Sequence, residues 1–109
     1  MPCDDELAQR VRHSLARRKH VTERNMFGGI GFMLRGHLCC GVVMDTLILR
    51  IGPEEYEHAL AQPHTRPMDL GGRPVKGMIY VDPPGIEDEP ALSDWIAKGV
   101  AYASSLPAT

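Results

Sequence analysis

The sequence lacks the features that mark membrane and secreted proteins. Its 109 residues contain no apolar run near the ~20 residues that a membrane helix requires. The first ten residues, MPCDDELAQR, are polar and acidic, so we expect no signal peptide. Cysteine is scarce, and an odd count of three does not indicate a disulfide framework. We therefore expect a cytoplasmic protein with reduced thiols and no membrane contact.

The chain also lacks a large excess of charge of either sign. A formal net charge of −2 argues against bulk binding of nucleic acid. Residues 1–24 nevertheless hold six basic against four acidic residues, leaving six against ten in the remainder. Four of the basic residues form a candidate basic patch: Arg10, Arg17, Arg18 and Lys19. A solvated helix face explains this excess better than a phosphate-binding surface does, so we do not expect direct DNA binding.

The composition that remains is that of one globular domain spanning residues 1–109. Apolar residues make up 43% of the chain and charged residues 24%, which are ordinary values for a folded protein. Leu7, Val11 and Leu15 recur at helical spacing behind Asp4 and Asp5, which can cap a helix. The other segments are assigned from three signals: alternating apolar residues, turn residues, and changes in the spacing of the apolar residues. They are strands in 30–34, 37–44 and 47–51, a helix in 52–63, a hairpin in 66–81 and a last helix in 87–106.

This order, α-β-β-β-α-β-β-α, predicts an α+β protein. We expect a two-layer α/β sandwich with a mostly antiparallel, five-stranded sheet. Consecutive hairpins at Arg35-Gly36 and Asp45-Thr46 would join the first three strands.

The glycine-rich stretch RNMFGGIGFMLRGHLCCGVVM, residues 24–44, resembles a ligand loop at first sight. A phosphate-binding loop runs from a strand into the N-terminus of a helix. Here the glycines lead into the strand pattern of Ile30, Phe32 and Leu34, so a nucleotide loop is not predicted. Glycines within strands indicate a bulge, strong twist or the close approach of another backbone.

Two registers are possible for the hairpin that follows. A two-residue Arg35-Gly36 turn would place Phe32 opposite Cys39. A three-residue loop or a bulge would instead make one continuous apolar face, which we favour, since a slip of one residue exchanges the faces. That face would carry Ile30, Phe32, Leu34, Leu38, Cys40 and Val42. The opposite face would then be unusually bare, with Gly29, Gly31 and Gly41.

The bare face suggests a candidate surface for a partner or ligand. It comprises Arg24, Met26, Phe27, Gly28, Gly29, Gly31 and Gly41. Cys39 and Cys40 are neighbours in a strand, so we expect their side chains on opposite faces, one of them in the core. His37 and Cys39 make a same-face pair, but no metal-ligand motif accompanies them. We expect no catalytic residues, no metal and no cofactor.

Three stretches together resemble the TfoX (Sxy) N-terminal domain family over residues 5–106. They are MFGGIGFMLRG, GVVMDTLILRIGPEEYEHAL and RPMDLGGRPVKGMIYVDP, followed by a last helix with Trp95. The resemblance implies the two-layer fold and a stand-alone member without the family's C-terminal domain. It also implies a regulatory role linked to natural competence, acting with a transcription factor.

We therefore expect a non-enzymatic regulatory or protein-interaction module whose protein partner is unknown. The alternative is a small-ligand-binding domain or an uncharacterised enzyme, with the glycine-bare face as its site. A homodimer is also expected if helices cover only one face of the sheet. Met33, Val43, Met78 and Tyr80 would then line the other face.

Overall fold

A computed structural model describes residues 4–26 and 28–107. Nine main elements follow one another in this part of the chain, and a short 3₁₀ turn, Pro83–Gly85, precedes the last of them. They are α1 (Asp5–Leu15), β1 (Val21–Met26), β2 (Gly29–Leu34), β3 (His37–Val43), β4 (Thr46–Arg50), α2 (Tyr56–Leu60), β5 (Thr65–Leu70), β6 (Arg73–Val81) and α3 (Glu89–Ser105). No helix in these ranges is long and apolar enough to cross a membrane.

The strands form one antiparallel sheet in the order β1-β2-β3-β4-β6-β5. The α+β class and the predicted order of helices and strands are confirmed, but the number of strands is wrong: the sheet has six, not five. The additional strand is β1, with the sequence VTERNM and four exposed residues at its centre. It lies at the edge of the sheet, where no apolar alternation is needed, so hydrophobic periodicity did not reveal it.

The helices and one face of the sheet enclose the core. Asp4 caps α1 by accepting from the Leu7 amide at 3.1 Å, and Asp88 caps α3 by accepting from Ala91 at 2.8 Å. Both helices thus begin at acidic residues, and for α1 this confirms the predicted cap. The helices contribute Leu7, Val11, Leu15, Tyr56, Ala59, Leu92, Ile96, Val100 and Ala103 to this core. The sheet contributes Phe32, Leu34, Cys39, Cys40, Val42, Leu47, Leu49, Ile51, Ile79 and Val81.

The β2–β3 hairpin combines the two registers that the sequence allowed. Arg35 and Gly36 form a two-residue turn with φ of 53° and 86°, which suits a tight hairpin. A register shift after Phe32 then pairs Met33 with Leu38 and Phe32 with Cys40, leaving Cys39 as an extra residue. Ile30 also pairs with Val42, as the continuous face requires. The assignment of Leu38 to that face was wrong, because it shares the Met33 side.

The prediction that the two cysteines face opposite sides of the sheet was also wrong. Both Cys39 and Cys40 lie in the core and are almost fully buried. The bulge explains this, since an extra residue interrupts the strict alternation of side chains. The two thiols are free and lie in contact with each other.

The face of the sheet away from the core is less open than the sequence predicted. Met33, Leu38, Ile48 and Met68 are buried there, although none belongs to the helix-covered core. Val43, Met78 and Tyr80 are half-buried. Among the residues described, the exposed large hydrophobic side chain is that of Met44, at 66%. The homodimer stays a prediction. The large, open apolar face that would support it is not found among the described residues.

Candidate functional site

The residues of the candidate surface predicted for a partner or ligand do not form one site. Met26 lies over Gly31, since its Sδ is 2.2 Å from where a Cβ on Gly31 would be. A Cβ on Gly29 would meet the Val42 carbonyl oxygen at 2.0 Å, so this glycine is also required by close packing. The close approach that the glycines predicted is therefore made by the chain itself.

The other members of that predicted surface lie apart. Gly41 is buried, and Gly28 and Arg24 are exposed. Phe27 lies outside the described residues. Arg24 lines a cleft of about 250 Å³ beside the pair formed by Arg12 and Glu23. Arg12 lowers the pKa of the Glu23 carboxyl, chiefly through this hydrogen bond.

The candidate basic patch divides into two parts. Arg10 connects α1 to the start of α3, with its Nε 2.6 Å from Glu89 Oε1 and its Nη2 2.7 Å from the Ile86 carbonyl oxygen. Arg17, Arg18 and Lys19 instead lie exposed in the turn after α1. Arg10 thus has a structural role, and three consecutive cations remain of the patch.

The two core cysteines influence each other. A hydrogen bond from Cys40 lowers the pKa of Cys39, against the effect of burial, and the charge of Arg18 acts in the same direction as the bond. The pKa of Cys40 is raised well above its usual value by its hydrogen bond to Cys39 and by burial. Both thiols are at most 1% exposed, so they form part of the core rather than of an open site.

A wider concave surface lies elsewhere, between α3 and the segment that leaves β4. This α3 groove, as we call it, has a volume of about 620 Å³. It is lined by Ile51, Gly52, Pro53, Glu54, Glu55, Lys98, Ala101, Tyr102 and Ser105. Its lining combines apolar residues with charged residues of both signs.

Gly52 gives the α3 groove its shape. The Ile51 and Gly52 amides both donate to the Gly77 carbonyl oxygen, at 2.8 and 3.1 Å, which ends the β4 ladder. Gly52 has φ of 86°, and a Cβ there would lie 2.4 Å from the Tyr102 ring. A residue with a side chain would therefore be strained and would displace the ring. The helix predicted in 52–63 begins only at Tyr56, which leaves residues 53–55 as the groove wall.

A second concavity lies on the other side of Gly52 and Pro53. This cleft, the Arg50 cleft, has a volume of about 350 Å³. It is lined by Leu38, Arg50, Gly52, Pro53, Val75, Lys76, Gly77, Met78 and Tyr102. The Arg50 guanidinium carbon lies 5.4 Å from the centroid of the Tyr102 ring, within the range of a cation–π contact.

Of the groove and cleft residues, Leu38 and Met78 had been named from the sequence, but only as members of sheet faces and not of a site. Arg50, Lys76, Lys98 and Tyr102 belong to three different elements and form no motif. The one usable signal was Gly52-Pro53 at the end of a strand pattern, which we interpreted as the start of a helix. Asp69 and Asp82, which lie near strand ends, have structural partners: Asp69 accepts from the Gly72 amide, and Asp82 binds Arg66. Across the described ranges, no group of three or more His, Cys, Asp or Glu could hold a metal ion.

Comparison with known proteins agrees with the resemblance noted in the sequence. No curated protein and no solved structure gives a significant match to the chain. The family model for the TfoX N-terminal domain matches residues 13–103. This span runs from within α1 to near the end of α3 and includes all six strands. The chain therefore belongs to the TfoX N-terminal domain family.

Proposed function

We propose that this domain is a non-enzymatic regulatory module that binds a partner protein through the α3 groove. The observation that carries the proposal is the make-up of the groove. Ile51, Ala101 and Tyr102 give the groove apolar surface, and Glu54 and Lys98 give it charges of both signs. Protein interfaces likewise combine apolar surface with polar and charged residues.

The partner that we propose is a transcription factor. Family membership supports a regulatory role, and the resemblance to TfoX implies that this role concerns natural competence. The charged lining supports a protein partner of mixed charge, because Glu54 and Glu55 line the groove from the segment after β4 and Lys98 lines it from α3. Complementary charges on a partner would fix its orientation in the groove.

Site-specific photo-crosslinking tests this proposal. A photoreactive residue at Ala101 reports on the α3 groove, and one at the exposed Ala16, next to the basic turn, is the matched control. We expect a crosslink to one transcription factor, identified by mass spectrometry, from Ala101 and not from Ala16. Purified protein should then bind that factor in the Ala16→Arg variant and lose binding in Ala101→Arg. A partner that is captured from Ala16 alone, or that tolerates Ala101→Arg, would overturn the groove as the interface.

The homodimer is a separate proposal and has its own measurement. A dimer would use the face of the sheet that carries Met33, Val43, Met78 and Tyr80, although Met33 is buried within the chain. Sedimentation velocity at micromolar concentration should give a species near twice the chain mass of 12.0 kDa. A single sharp species at the chain mass would show that the domain is a monomer.

A further inference from the structure

The Arg50 cleft has a charge that differs from that of the rest of the molecule. Its charged lining residues are Arg50 and Lys76, both basic, in a chain with a net charge of −2. Arg50 is half-buried, and no carboxylate of the described residues lies within ion-pair distance of it. Glu54 and Glu55 line the α3 groove and not this cleft. The cleft therefore offers two positive charges to an anion.

Most of the remaining lining residues are apolar. The Tyr102 ring holds Arg50 by stacking, and Leu38, Val75 and Met78 add hydrophobic surface. Stacking reduces the rotamer freedom of the guanidinium, so less entropy is lost when it binds a ligand. A planar guanidinium matches the two oxygens of a carboxylate, with which it can form paired hydrogen bonds.

The size of the cleft favours a small molecule or a short chain end. Its volume of about 350 Å³ lies near the lower end of the range for ligand pockets. Gly52 and Gly77 both line it, and a Cβ on Gly77 would lie 3.1 Å from the Gly52 carbonyl carbon. The two backbone segments are thus closely packed at the cleft, and neither glycine adds a side chain that would fill it.

We propose that the Arg50 cleft binds an organic carboxylate with an apolar or aromatic body. The carboxylate lies between Arg50 and Lys76, and the body packs against Val75 and Met78. Two sources share this chemistry: a free aromatic or aliphatic acid, and the C-terminal carboxylate of a peptide. The proposal does not depend on the α3 groove, so the crosslinking from Ala101 leaves it unaffected.

Titration followed by amide chemical shifts tests the proposal. The probes are phenylacetate, its neutral isostere phenylacetamide, and a dipeptide ending in phenylalanine with a free or an amidated C-terminus. We expect phenylacetate or the free-acid peptide to shift the Leu38, Lys76 and Met78 amides. The matching neutral amide should bind at least roughly tenfold more weakly than the acid, which is a difference of about 1.4 kcal/mol or more. Tighter binding of the small acid or of the peptide identifies the source.

Two variants show whether the cleft itself is responsible. Lys76→Gln and Arg50→Gln should each weaken binding of the acid at least severalfold. Arg73→Gln is the control, because it removes one charge from an exposed position in the β5–β6 hairpin outside the cleft. Lys76 is exposed, so its variant decides the matter if Arg50→Gln does not fold. The proposal fails if no acid binds at ~10 mM, where even a millimolar ligand would be mostly bound. It also fails if the amides bind as well as the acids, or if Arg73→Gln weakens binding as much as Lys76→Gln does.

Discussion

Two arginines in this domain lie over tyrosine rings, and their surroundings differ. Arg66 is 4.8 Å from the centroid of Tyr80 and Arg50 is 5.4 Å from that of Tyr102. Arg66 also forms paired hydrogen bonds with Asp82, with its Nε and Nη2 2.7–3.1 Å from the two carboxylate oxygens. Arg50 has no such carboxylate among the residues that the structure describes.

The difference separates an arginine that holds the fold together from one that is available to bind a ligand. Arg66 joins β5 to the end of β6, and its charge is balanced within the chain. Arg50 is held in place by an aromatic ring at a cleft, with its hydrogen-bonding groups unmatched by an acid. An arginine of the first kind contributes to stability, whereas one of the second kind is arranged to bind something else.

We expect the largest loss of stability from a substitution at Gly52. The contact between Arg50 and Tyr102 depends on this glycine, whereas the contacts of Arg66 do not. Gly52→Ala places a Cβ 2.4 Å from the Tyr102 ring at φ of 86°. We expect the free energy of unfolding to fall by about 2–4 kcal/mol, from backbone strain and displacement of the ring together. Urea denaturation measures this change.

Gly72→Ala is the matched control for that substitution. Gly72 also has φ of 86°, but nothing lies within 4 Å of its Cβ position. Gly72→Ala should lower the free energy of unfolding only by the backbone strain, about 1–2 kcal/mol. Adding Tyr102→Ala to Gly52→Ala should recover part of the lost stability. Equal losses at Gly52 and Gly72 would show that Tyr102 does not determine the need for glycine.

Much of the fold was predictable because its elements carry strong local signals. The apolar spacing of α1, the capping aspartates and the Arg35-Gly36 turn each specify local structure, and all three are present. β1 was missed because an edge strand with four exposed residues has no apolar face to reveal it. The positions of Cys39 and Leu38 depended on a bulge, whose location is set by packing across strands rather than by local sequence.

The candidate sites could not be predicted in the same way. Arg50 and Tyr102 are 52 positions apart in the sequence, and only the packing of α3 on β4 brings them together. Their contact also requires Gly52, whose role is evident only from the nearby ring. The glycines that were noticed, Gly29 and Gly31, instead accommodate contacts within the domain.

A smaller effect should distinguish the two arginines directly. A double-mutant cycle of Arg66→Gln with Asp82→Asn should give a favourable coupling of about 0.5–1 kcal/mol, as for an exposed but well-oriented ion pair. The same cycle for Arg50→Gln with Glu54→Gln should give less than about 0.3 kcal/mol, since no ion pair joins those side chains. Chemical denaturation of the seven proteins, which are the shared wild type, four single variants and two double variants, measures both. A coupling for Arg50 as large as that for Arg66 would mean that its charge is already balanced within the chain.

The smallest effect is a pH dependence specific to the Arg66 arrangement. The hydrogen bond from Arg66 lowers the pKa of the Asp82 carboxyl, against a small effect of burial. The unfolded chain therefore binds a proton at higher pH than the native one. The pair's contribution is fully present above the ordinary aspartate pKa of about 3.9 and is lost as pH falls through the lowered native value. Its size should stay below about 1 kcal/mol, because both side chains are partly exposed.

Titration of the Asp82 carboxyl carbon by NMR should show a low pKa in the wild type that rises towards its ordinary value in Arg66→Gln. Arg50→Gln should leave it unchanged, and a shift of the same size in that variant would indicate that the two arginines are electrostatically coupled.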